Sequence, residues 1–185
     1  MRKNFGAKAM LCPEMALVVG TYDGNGKANA MVAAWGGVGD DQEVVVCIGG
    51  NHKTADNLLS KKAFSLSIGG KESLSKIDYV GVLSGKSNPD KVTEAGLTPE
   101  KGAFVDAPTF SELPFVMECR LKSYDKESCR LVGEIVNVAV DESVLDEKGR
   151  IDFSKWRPLC YDPFSQSYVE IGPIVGPAFQ KPRKG

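Results

Sequence analysis

The chain has 185 residues, 42% hydrophobic and 25% charged, which is enough to bury a core of its own and suits one domain spanning 1–185. A formal net charge of -1 gives no electrostatic attraction to nucleic acid or to an anionic membrane, and no apolar run approaches the ~20 residues that cross a bilayer, so neither partner is expected. Five separated cysteines with no Cys-x-x-Cys pair and no secretory segment at the start read as reduced thiols of a cytoplasmic protein, and a single histidine, His52, argues against zinc, haem or histidine-based hydrolysis.

In chain order, residues 15–22 form a β-rich run, and the turn signal Asp23-Gly24-Asn25-Gly26 leads into a second strand over 29–35, which makes a hairpin. The stretch 29–37 stands out because its residues are too small to fill a core: Ala30, Ala33 and Ala34 leave the backbone open to close approach, and Trp35 is the one large ring. Two readings compete, a strand packed closely on a helix and a strand against which a planar ligand lies. Residues 36–41 read as a loop, and 43–48 as a strand apolar on both sides, with Cys47 as a small buried hydrophobe.

Gly49-Gly50-Asn51-His52-Lys53-Thr54 then enters a helix over 55–62, with Leu58 and Leu59 facing inward and Lys61 and Lys62 at the C-terminal end. Either Thr54 is an ordinary N-cap, or the free N–H groups, the Thr54 hydroxyl, Lys53 and His52 hold a phosphate; the spacing is that of neither a P-loop nor a Rossmann fingerprint. Ala63–Ile68 alternates as a half-buried strand with Ser65 and Ser67 on one face. A helix follows over 72–83, and Ser87-Asn88-Pro89-Asp90 opens a short helix that ends at Gly96. Residues 97–114 read as connector with an extended piece near Phe104-Val105, and strands over 115–124 and 129–140 make a second hairpin. Residues 141–157 are polar and irregular, 159–161 and 168–171 add strands, and the apolar 172–177 suits packing on a partner subunit.

Gly6-Ala7-Lys8, Val19-Gly20-Thr21-Tyr22-Asp23, Asn29-Ala30-Met31 with Ala33-Ala34-Trp35-Gly36-Gly37, Lys62-Ala63-Phe64, Asp78-Tyr79 with Ser84-Gly85, Ala95-Gly96-Leu97-Thr98-Pro99 and Glu118-Cys119-Arg120-Leu121 occur in that order. Together they resemble the flavin reductase-like, FMN-binding split-barrel family, and flavoredoxin within it. The resemblance implies a mainly β fold, an antiparallel split β-barrel with flanking helices, acting as a homodimer with one FMN per subunit near the dimer interface. It implies that Met31, Val32, Ala33, Ala34 and Trp35 lie along the isoalloxazine, and that Gly49, Gly50, Asn51, His52, Lys53 and Thr54 face the phosphate. Ser67 with Ser84, Gly85 and Lys86 would line the rim, and Tyr168 would close the pocket. Two positions depart from the pattern: Val32 stands where relatives often carry a hydroxyl residue, and glycines stand in the 49–53 loop where they commonly carry an arginine.

The expected function follows from the resemblance. An FMN-dependent oxidoreductase would take hydride from NADH or NADPH, and the absence of a catalytic acid, base or nucleophile suits chemistry carried by the ring. The alternative is a flavoredoxin-like electron carrier reduced by a redox partner protein, without a nicotinamide substrate of its own. A third reading is a barrel module that has lost its flavin.

Overall fold

A computed structural model describes residues 1–179; the basic tail Lys181-Pro182-Arg183-Lys184-Gly185 lies outside the described residues. The chain opens with β1 (Glu14–Met15), β2 (Leu17–Tyr22), β3 (Ala28–Ala33), β4 (Gly36–Asp40) and β5 (Glu43–Cys47). Helix α1 (Lys53–Lys61), β6 (Ala63–Ile68), α2 (Leu74–Val82) and α3 (Lys91–Glu94) follow. The remaining elements are β7 (Pro99–Lys101), β8 (Pro108–Phe110), β9 (Phe115–Asp125), β10 (Arg130–Val140), β11 (Leu159–Asp162) and β12 (Ser167–Glu170).

Seven strands form one antiparallel sheet in the order β3-β2-β6-β9-β10-β5-β4. Strands β3 and β4 are its two edges, yet β3 ends at Ala33 and β4 begins at Gly36. Three Cα steps span at most about 11 Å, so the sheet must curl until its edges converge at that corner. The result is the split, half-closed barrel expected from the sequence. Strands β1, β11 and β12 form a separate three-stranded sheet, and β7 pairs with β8.

Alternation along β2 explains how the two cores divide. Leu17 and Val19 point into the curl with Val44, Val46, Phe64, Leu66 and Leu131, and Ala55 and Leu58 of α1 plug the same core. Ala16 and Val18 point outward with Ala30, and Ile77 and Val80 of α2 cover them. Gly133 makes the interior possible: a Cβ there would overlap the Phe64 ring, and the ladder between β9 and β10 shifts register at Val132/Gly133.

Several local expectations are corrected. Residues 36–41 are largely strand, because β4 pairs with β5 through backbone groups that glycine does not hinder. Cys47 is exposed, since alternation along β5 turns Val44 and Val46 inward and Cys47 to the other face. Leu59 is 47% exposed, so only Leu58 of the pair faces the core. Helix α1 begins earlier than expected, at Lys53, with His52 as an N-cap that makes no side-chain hydrogen bond, and Thr54 is therefore not the cap. The connector contains β7 and β8 instead of a piece at Phe104-Val105.

Candidate functional site

At the open edge of β3 the N-terminus of α1, the C-terminal end of α2 and the start of α3 converge on a narrow cleft of about 90 Å³. Asn29 and Met31 form its floor from β3, and His52, Lys53 and Thr54 form one wall from α1. Gly81, Val82 and Leu83 with Ser84 and Gly85 form the other wall, and Lys91 enters from α3. Because among the described residues β3 pairs only with β2, half of its backbone N–H and C=O groups point away from the sheet toward the cleft side.

One end of the cleft is cationic. The bare N-cap of α1 leaves first-turn N–H groups for an acceptor, and the positive end of the helix dipole lies beside them. Lys53 Nζ is 3.8 Å from Asp23 Oδ2, an ion pair too long to hold it firmly. Lys91 is 3% exposed, and its Nζ donates to the Val80 carbonyl at 2.7 Å and the Leu83 carbonyl at 2.6 Å, closing the last turn of α2. Among the described residues no carboxylate pairs with it, and burial lowers its pKa from 10.5 to about 8. An ammonium held only by carbonyl dipoles, with a third N–H to spare, suits an incoming anion.

Six of the residues expected at the site meet there: Met31, His52, Lys53, Thr54, Ser84 and Gly85. The others lie elsewhere. Val32 faces α2, where a Cβ on Gly81 would crowd it at 3.1 Å, so Val32 packs on the helix and does not line the cleft. Ala33 is buried and Ala34 half-buried, whereas Trp35 is 56% exposed at the corner where the sheet edges converge. Gly49, Gly50 and Asn51 precede the cleft, and the Lys126 side chain from the turn after β9 lies over Gly50. Lys86 pairs with Asp56 at 3.0 Å on the surface. Ser67 is fully buried, with no hydrogen-bond partner for its Oγ among the described residues. Tyr168 donates to Asp78 Oδ1 of α2 at 3.2 Å; burial and that carboxylate push its hydroxyl up to about 12, and it ties β12 to α2.

Sequence reasoning missed Asn29, Lys91 and the α2 end Gly81, Val82 and Leu83 as lining residues. Asn29 carried a signal, since a polar amide opens a run of alanines that packs against the interior. Lys91 carried none: a lysine in a short surface helix is ordinarily solvated, and only folding against α2 buries it.

A curled seven-stranded antiparallel half-barrel with few helices and a cationic cleft at its open edge defines a split-barrel class of fold. Residues 9–168 match the flavin reductase like domain, and the chain belongs to that family. Flavoredoxin of Desulfovibrio vulgaris (Miyazaki F) superposes with a TM-score of 0.91 at 35% identity, over 97% of this chain and 98% of that one. An FMN-binding domain of a flavin reductases-like enzyme from Shewanella baltica OS155 shares the fold at a TM-score of 0.78 and 19% identity, over 88% of each chain. An uncharacterized protein of Aquifex aeolicus (strain VF5) is 32% identical over 111 residues, 57% of this chain and 55% of that one.

Proposed function

We propose that this protein is an FMN-binding oxidoreductase of flavin reductase type that passes hydride or electrons from NADH or NADPH through its flavin to an acceptor. The observation that carries this reading is the convergence of Lys53, Lys91 and the bare start of α1 on one cleft beside the open edge of β3. The residues present fit a flavin mononucleotide. Lys53, Lys91 and the α1 N–H groups would hold its phosphate, and the β3 backbone would meet the polar edge of its ring. Bound flavin supplies the redox chemistry, so the protein's part is to bind, orient and tune it.

Homodimer formation belongs to the same proposal. Pockets that enclose ligands of this size are usually about 300–1,000 Å³, far more than the 90 Å³ of the cleft in one chain. Val38, Ile174 and Val175 are 77%, 76% and 100% exposed, leaving apolar surface for a second copy to cover. A cytoplasmic location accords with the five free thiols.

Likeness to flavoredoxin favours a second reading, an electron carrier reduced by a redox partner protein. The deciding experiment is a visible spectrum of the purified protein with FMN, followed by anaerobic addition of NADH and then NADPH. Rapid bleaching with either nucleotide establishes the reductase. Flavin bands that persist with both favour the carrier, and a protein that takes up no flavin overturns both.

A further inference from the structure

Behind the cleft floor four buried polar side chains form a chain of hydrogen bonds where β2, β3 and α1 meet. Asn57 Nδ2 donates to Thr21 Oγ1 at 3.0 Å, and Asn29 Nδ2 donates to Thr54 Oγ1 at 2.9 Å and lies 3.5 Å from Thr21 Oγ1. Thr21, Asn29, Thr54 and Asn57 are 0%, 6%, 1% and 3% exposed. This position adjoins Val19, Ala55 and Leu58, and an apolar set of the same volume would pack there without the desolvation cost that burying hydroxyls and amides carries. Asn29 and Thr54 line the cleft; Thr21 and Asn57 do not.

In this network the Asn29 amide donates through its nitrogen and the threonine hydroxyls accept. Its nitrogen is spent inward on a threonine hydroxyl, so its oxygen turns outward to Gly85, where a Cβ would overlap Oδ1. An acceptor thus stands at the cleft floor against Gly85. A phosphate offers that oxygen nothing, whereas a hydroxyl donates to it.

Resting on the FMN reading above, we propose that Thr21 and Asn57 are positioning residues that hold the Asn29 carbonyl toward the cleft, where it accepts a hydrogen bond from a hydroxyl of the flavin's sugar-alcohol chain. The recognised chemistry is then a polyol adjacent to a phosphate. Riboflavin, which keeps the polyol and lacks the phosphate, shares this contact, while lumiflavin, which lacks both, does not.

The test is a set of affinities for FMN, riboflavin and lumiflavin measured by fluorescence titration. Thr21→Val weakens FMN and riboflavin by a similar factor, about tenfold, leaves lumiflavin unchanged, and adds no further loss in an Asn29→Ala background. Thr21→Ser, which keeps the hydroxyl, restores binding. Equal weakening of all three ligands, or the same loss with and without the Asn29 side chain, shows a general structural role and overturns the proposal. Should Thr21→Val fail to fold, Asn57→Ser carries the same comparison. Wild-type protein that binds none of the three ligands removes the FMN reading itself, an outcome distinct from either.

Discussion

At the scale of single residues, the two lysines of the cleft differ in environment and so in the response expected of them. Lys53 is partly exposed and loosely paired with Asp23, so it acts as an added point charge. Lys53→Ala should weaken FMN about fivefold to tenfold and riboflavin little, because only FMN carries the phosphate. Equal losses in a titration of both ligands would place Lys53 away from the phosphate. Lys91, whose pKa burial lowers to about 8, adds a pH dependence whose sign can be worked out. In the ligand-free protein the ammonium is charged below about pH 8 and neutral above it, while a bound phosphate favours the charged form. FMN affinity is therefore full below about pH 8 and falls as the pH rises through that value, with riboflavin affinity flat over the same range. The phosphate's second ionisation lies near ~6, so a series from about pH 7.5 upward holds the ligand's charge fixed while Lys91 titrates. For stability the linkage runs the other way. An unfolded lysine holds its proton to about 10.5, so the ligand-free fold gains stability between about pH 8 and 10.5, a gain that Lys91→Met should abolish in urea titrations.

At the scale of elements, the curl of the sheet depends on close approach between strands, and β10 shows it. Phe64 on β6 fills the interior where Gly133 leaves room. Gly133→Ala should cost about 1–3 kcal/mol through overpacking, read as a lowered urea midpoint at constant slope. Adding Phe64→Leu should recover part of the loss, since the smaller side chain relieves the same overlap. An unchanged midpoint for Gly133→Ala would mean that the ring moves aside freely, and that the register shift rather than the glycine sets the local bend. Helix α1 is bound to this sheet from both sides of its first turns, through Ala55 and Leu58 in the core and through Thr54 and Asn57 in the polar chain. Its N-terminus is thereby presented to the cleft as a fixed feature of the fold.

At the scale of the whole molecule, one chain offers only a shallow hold on a ligand the size of a flavin nucleotide, and covering it falls to a second copy in the proposal above. Val38 on edge strand β4 is 77% exposed and close in sequence to Trp35, so Val38→Lys should shift the protein toward monomer in sedimentation. In the same variant FMN affinity should fall by about tenfold or more although every cleft residue is intact. A monomeric variant that keeps full affinity would place the flavin within one subunit.

What the sequence alone determined was whatever rests on neighbours along the chain. The two hairpins, the strand at Ala63–Ile68, the turn into α1 and the ordered set of family motifs all follow from period, turn chemistry and local spacing, which need no partner to be read. The half-buried reading of that strand is wrong, since all six of its residues are buried. The tertiary structure decided what depends on which surfaces meet. Gly36–Asp40 became a strand because β5 offered it a ladder, and Ser67 was buried because the outer face of β6 is covered. Lys91 reached the cleft because α3 packs back toward the end of α2, and Asn29 found its buried hydrogen-bond partner in Thr54, 25 residues away. Those outcomes are set by burial and by long-range hydrogen bonds, whose partners no local pattern names.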